Sequence, residues 1–152
     1  MNSARSNRHQ ERAGCSPHVF PVRVYFEDTD AGGIVYYANY LKFAERARSE
    51  MLRAVGIESS TLMAADNIAL TVKTCSLDYL KPAKLDDALE VHSRIEKVGG
   101  ASLSGVQTIK RDGVDLVVVR IKLACMAMDG KAARLPAQVR SILENFVNKM
   151  SE

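Results

Sequence analysis

The hydrophobic period of this chain changes once, sharply, between residues 22 and 55, and that change constrains the fold more than any other feature. Val22, Val24 and Phe26 alternate with Arg23, Tyr25 and Glu27, the period of two of a half-buried strand. From Tyr37 the period lengthens. Tyr37, Tyr40, Leu41, Ala44, Ala47, Met51 and Val55 recur at helical spacing, and Gly56 follows as a stop. The spacing predicts a helix over Tyr37–Val55, long by globular standards. Between the two periods lie Asp28, Thr29, Asp30, Ala31, Gly32 and Gly33.

That junction has chemical potential. A helix start carries backbone N–H groups without helical partners and a partial positive charge. Ser, Thr, Asp or Asn usually closes such an end, yet Tyr36 and Tyr37 stand at the expected start. Either Asn39 caps a later start, or the free N–H groups are open to an anion or a developing oxyanion. Asp28 and Asp30 lie just upstream. A carboxylate facing a helix N-terminus provides two parts of a hydrolytic site, a base or nucleophile and an oxyanion hole. The bland alternative is a charge–dipole contact beside an ordinary Gly-Gly turn.

The rest of the chain reads as mostly antiparallel sheet. Val19–Glu27 is the first strand, with Pro21 near its start. After the helix comes a connector with a short helical patch at Ser60–Ala65. Ile68, Leu70 and Val72 alternate, then Cys75, Leu77 and Tyr79 do so on the other parity, which places a bulge near Lys73–Thr74. Leu89, Val91 and Ile95 mark the next strand, and Gly99-Gly100 turns into Ala101–Lys110. Asp112-Gly113 is a strong hairpin signal, leading into Val114–Met128. That last strand is apolar on both parities, which predicts burial on two faces or pairing with a second subunit. Pro136 opens a closing helix whose stripe is Val139, Ile142, Leu143, Phe146, Val147 and Met150. The fold class expected is α+β.

Composition removes several classes of function. The chain has 152 residues, 47% of them hydrophobic, enough for one domain with a sizeable core. Residues 1–17 read as a disordered tail and 18–150 as the domain. Net charge is +3, and most of that excess sits in the tail, so no general nucleic-acid surface is supported. No apolar run reaches membrane-spanning length, and the first residues lack the apolar core of a secretory signal. A cytoplasmic location is the expectation. Three cysteines, Cys15, Cys75 and Cys125, lack metal-like spacing, and their odd number argues against a disulfide framework. Cys75 and Cys125 read as small buried hydrophobes. His9, His18 and His92 are scattered, which argues against a Cys–His hydrolase or a metallohydrolase.

Residues 23–40 carry a specific resemblance. Arg23-Val24, then Thr29-Asp30, Gly33-Ile34-Val35, Tyr37 and Tyr40 resemble the signature of the hotdog-fold acyl-CoA thioesterases of the 4-hydroxybenzoyl-CoA thioesterase family. The longer run VRVYFEDTDAGGIVYYANYLKFAERARSEML is similar to the YbgC, or Tol–Pal-associated, branch. The resemblance continues through LDYLKPAKLDD at 77–87 and thins beyond Leu89.

That resemblance implies a hotdog fold, an antiparallel sheet wrapped round a long central helix. It implies pairing into homodimers or homotetramers with the sites at the dimer interface. By position, Asp30 matches the family's catalytic carboxylate. Tyr37 matches the residue whose backbone N–H polarises the thioester carbonyl. Gly33, Ile34 and Val35 match the loop that the thioester approaches. Many members of the YbgC branch carry His at the position of Tyr37; Tyr is a much weaker acid–base group, so the backbone role is the one carried over. The implied substrate is an acyl or aroyl thioester of CoA or of an acyl-carrier protein, with no cofactor and no metal. Lys81, Lys84, Arg94 and Arg134 are candidate partners for the CoA phosphates.

Two other readings compete. One is a non-catalytic hotdog module that binds acyl thioesters or serves as a scaffold; the presence of Asp30 favours the enzyme. The other treats Glu27, Asp28 and Asp30 as a hard-cation site.

Overall fold

The computed structural model describes residues 17–151, with side chains as far as Val147. The tail expected over 1–17 falls, but for Pro17, outside the described residues, as does the Met150 side chain. Five strands form one antiparallel sheet: β1 (His18–Arg23), β2 (Ile68–Tyr79), β3 (Ala88–Val98), β4 (Ser102–Arg111) and β5 (Val114–Ala127). Their spatial order is β1-β3-β4-β5-β2. Three helices are used below: α1 (Asn39–Ala54), the single turn α2 (Ser59–Thr61) and α3 (Ala137–Ser151).

Local chemistry moves the expected boundaries. β1 stops at Arg23 because the Asp28 carboxylate accepts the Tyr25 N–H at 2.8 Å, curling Phe26–Asp28 into a 3-10 turn instead of continuing the strand. The helix expected from Tyr37 begins at Asn39, and Tyr37 and Ala38 form the turn before it. The patch expected at Ser60–Ala65 is α2 followed by a π turn over Leu62–Asp66. The register of β2 against β5 shifts between Val72 and Thr74, at the expected bulge. The β4–β5 hairpin turns through Asp112 and Gly113, both at positive φ, as the Asp-Gly signal requires.

Both long helices lie on one face of the sheet. α1 buries Tyr40, Phe43, Ala44 and Ala47 against Val91, Ile109, Val117 and Val119. Farther along, Met51 and Leu52 meet Val139 and Leu143 of α3 over Ile95, Leu103, Ile121 and Leu123. Burying each such aliphatic side chain stabilises the fold by about 1.5–3 kcal/mol. β5, apolar on both parities, is an interior strand between β4 and β2, and the sheet's edges are β1 and β2. Of the two alternatives for β5, burial on two faces is the one seen: the adjacent Leu116 and Val117 are both fully buried. One expectation needs correction: Cys125 is buried, but Cys75 is exposed on the edge strand β2.

Candidate active site

The junction between the two hydrophobic periods folds into a small hairpin that has Asp30 at its base and precedes α1 in the chain. Asp30 N–H donates to the Ile34 carbonyl at 2.9 Å, and Gly33 N–H donates to the Asp30 carbonyl at 3.0 Å. Thr29 and Val35 pair beside them. Such a three-residue loop needs a left-handed residue at its last position, and Gly33 has φ +79°. The Asp30 carboxylate accepts the Gly32 N–H through Oδ1 at 2.8 Å. Among the described residues, Oδ2 has no partner. The side chain is thus oriented through one oxygen and free through the other.

The start of α1 is fixed peptide by peptide. Tyr36 N–H donates to the Asp28 carbonyl at 2.9 Å, and Asn39 N–H donates to the Tyr36 carbonyl at 2.8 Å. Asn39 does not cap the helix. Its Nδ2 donates to the Asp28 carbonyl at 3.0 Å, and the cap position is Ala38, which has no side chain to offer. Ala38 is right-handed helical, with φ −77° and ψ −19°, so Tyr36–Asn39 is a type I turn. Among the described residues, the N–H groups of Tyr37 and Ala38 have no acceptor. Of the two alternatives left by the sequence, an Asn39 cap or an open start, the helix begins later, at Asn39, and has the open start.

Rings surround that opening. Tyr37 is 63% exposed, with its ring centroid 4.8 Å from Tyr36 and 6.5 Å from Tyr79. Tyr79 also meets Tyr40 edge-on at 5.8 Å. Ile34 is partly exposed, whereas Val35 is packed in the core and its N–H donates to the Ala83 carbonyl at 2.9 Å. Val35 thus presents backbone rather than side chain at the loop. Asp28 is 9% exposed and spends its carboxylate on Tyr25, so it supports the loop. Glu27, Asp28 and Asp30 do not converge: among the described residues no group of three His, Cys, Asp or Glu is placed to hold a metal ion.

Several supports of this site were not singled out in the sequence. Ala83 N–H donates to the Tyr40 hydroxyl at 3.0 Å, and Ile34 bridges to Lys84. The 80–87 loop is therefore stitched to both the helix and the Asp30 hairpin. Asp87 anchors the far end, accepting Lys84 N–H at 2.8 Å and Arg111 Nη1 at 2.5 Å. Burial alone would raise the Asp87 carboxyl; the Lys84 N–H and the Arg111 guanidinium outweigh it and hold its pKa below the ordinary carboxylate value. Beneath α1, Gln107 is 2% exposed. It donates to the Ala44 carbonyl at 2.8 Å and the Ser93 hydroxyl at 2.9 Å, and accepts Arg48 Nη1 at 3.0 Å. No spacing rule links Gln107 on β4 with its partners, Ala44 and Arg48 on α1 and Ser93 on β3.

Residues 32–118, more than half of the chain, match the family model described as the thioesterase superfamily. A protein of Haemophilus influenzae named acyl-CoA thioesterase YbgC is 43% identical over 128 residues, covering 84% of this chain and 94% of that one. The chain belongs to the thioesterase superfamily. A putative esterase of Aquifex aeolicus is 30% identical over 129 residues, covering 85% of this chain and 99% of its own. Among solved structures, a probable thioesterase from Bartonella henselae superposes with a TM-score of 0.76 at 35% identity, covering 79% of this chain and 99% of that one. The superfamily's hotdog architecture is the one described above. The matched span begins at Gly32, inside the Asp30 hairpin, and includes the open helix start.

Proposed function

We infer that this chain is an acyl-CoA thioesterase, hydrolysing an acyl or aroyl thioester to the free acid and CoA. The observation that carries the reading is the pairing of a carboxylate with one free oxygen, Asp30, and an uncapped helix start at Tyr37. In the mechanism we favour, the thioester carbonyl accepts the Tyr37 N–H, aided by the helix dipole. Asp30 then works in one of two ways. As a base it takes a proton from water, whose oxygen bonds to the carbonyl carbon; the C–S bond breaks and the leaving thiolate takes a proton. As a nucleophile its oxygen bonds to the carbonyl carbon and the C–S bond breaks, releasing the CoA thiolate and leaving a mixed anhydride. Water then opens the anhydride to the free acid, the Asp30 carboxylate is regenerated, and the proton goes to the thiolate. Gly33 and Ile34 border the approach to the carbonyl, with the Val35 backbone behind them.

Further parts of this reading concern partners and place. β2 is a twelve-residue strand at the sheet edge, with Val72 52% and Tyr79 50% exposed. A free edge of that length supports pairing with a second copy, as a homodimer or a homotetramer. An acyl-carrier protein is the alternative donor of the thioester. Cys75 and Cys125 are free thiols, which fits a reducing compartment such as the cytoplasm. No helix among the described residues is long and apolar enough to cross a membrane.

The test separates side chain from backbone at position 37. Hexanoyl-, palmitoyl- and benzoyl-CoA are offered to the wild type, Asp30→Asn, Tyr37→Phe and Tyr37→Pro. Proline fits the second position of a type I turn but lacks the N–H. Asp30→Asn and Tyr37→Pro should each lose at least about 100-fold in kcat, while Tyr37→Phe stays within a few-fold of wild type. Full turnover by Asp30→Asn removes that residue from the chemistry. Full turnover by Tyr37→Pro removes the backbone donor.

A further inference from the structure

Four peptide units lead into α1; three are held by backbone hydrogen bonds, and one stands apart. The 35–36 unit is pinned by Tyr36 N–H on the Asp28 carbonyl, and the 36–37 unit by Asn39 N–H on the Tyr36 carbonyl. The 38–39 unit joins the helix through Leu41 N–H on the Ala38 carbonyl. The 37–38 unit alone is held by a side chain. The Tyr79 hydroxyl, from the last residue of β2, donates to the Tyr37 carbonyl at 2.9 Å, across 42 residues of chain.

A trans peptide is planar, with its N–H opposite its C=O. Holding the Tyr37 carbonyl therefore aims the Ala38 N–H away from Tyr79, out of the helix start. Tyr37 and Ala38 are consecutive right-handed residues, whose N–H groups point the same way along the helix axis. The opening thus offers two donors rather than one.

We propose that Tyr79 is a positioning residue for the thioester carbonyl, holding the 37–38 peptide so that the Ala38 N–H acts beside the Tyr37 N–H as a second oxyanion donor. This rests on the Tyr37 backbone reading above. The ring of Tyr79 is wedged edge-on against Tyr37 and Tyr40, which restricts where its hydroxyl can go. Burial, with Tyr37 and Cys75 nearby, raises its pKa above that of a free phenol; the hydroxyl keeps its proton and remains a donor at neutral pH. The catalytic effect is on charge that develops in the transition state, so it belongs to kcat rather than to substrate binding.

Three changes to the chain test it, with hexanoyl- and benzoyl-CoA as probes. Tyr79→Phe keeps the ring and removes the hydroxyl; kcat should fall at least about tenfold with KM within about twofold. Incorporating 3-fluorotyrosine at 79 retains a hydroxyl donor and should restore most of kcat. Replacing Ala38 with lactate, which exchanges its N–H for an ester oxygen, should lower kcat by about 100-fold, the usual effect of losing an oxyanion donor. Unchanged kcat in Tyr79→Phe, or a loss appearing only in KM or melting temperature, overturns the positioning role. Unchanged kcat in the lactate protein overturns the second donor. These failures are distinct from failure of the parent reading, because Tyr37→Pro remains inactive if the Tyr37 N–H is used and is active if it is not.

Discussion

Tyr40, buried on the first turn of α1, accepts the backbone N–H of Ala83 at 3.0 Å, joining the helix to the loop that also takes Val35 N–H and bridges Ile34. Ala83 is 0% exposed, so its N–H has no water to turn to. Tyr40→Phe should therefore lower stability by about 1–3 kcal/mol, the cost of stranding a buried donor. Denaturant titration checks this, and an unchanged midpoint would show that the loop finds another acceptor.

Asp87 gives stability a defined acid limit. Its folded pKa is depressed relative to an unfolded value near 3.9. The stabilisation is present above that unfolded value and is lost as pH falls through the lower, folded one. Asp87→Asn should weaken the fold at pH 7, and its melting temperature should fall less steeply than that of wild type below about pH 4. Parallel acid-unfolding curves for the two proteins would contradict this.

The Arg48–Gln107–Ser93 cluster beneath α1 predicts a non-additive pair. Gln107→Leu removes the acceptor of a half-buried guanidinium and should cost about 2–3 kcal/mol. Adding Arg48→Met to that variant should recover much of the loss, because removing both partners strands neither. A double variant as unstable as the sum of the singles would show that packing, not hydrogen bonding, sets the cost.

Gly105 lies opposite the bulge of β3, where the register shifts between Ile95 and Lys97. A Cβ there would run into the backbone carbonyl oxygen of Arg94. No rotamer change relieves a clash with backbone, so Gly105→Ala should cost about 3 kcal/mol or more. Yield of folded protein and melting temperature report the outcome.

Element order and helix placement were legible in the sequence because they follow from periodicity, which residues 22–55 display plainly. The bulge in β2 and the Asp112-Gly113 turn were legible because parity changes and Asp-Gly pairs are local signals. Boundaries were less so. β1 ends early because one carboxylate, Asp28, captures a backbone N–H three residues away, an event to which alternation is blind. The Asp30 hairpin and open helix start were readable for the same local reason, as motif and poor caps. Gln107 and Tyr79 were not: their partners lie 59 and 42 residues away, and only the folded sheet brings them together. The edge position of β2 was hidden too, since strand order follows from pairing and not from the run of apolar residues in β5.

Tyr36, the first residue of the turn that leads into α1, sets stability against the proposed activity. A residue such as Ser or Asp there would accept the Ala38 N–H with its own side chain and add about 1 kcal/mol. The same oxygen would occupy an N–H group that the proposed mechanism gives to the substrate carbonyl. A programme that hardened this enzyme by melting temperature alone would be drawn to that substitution and would blunt the catalyst with each success. Stabilising changes belong instead in the α1–α3 core around Met51 and Leu143, away from the mouth of the site.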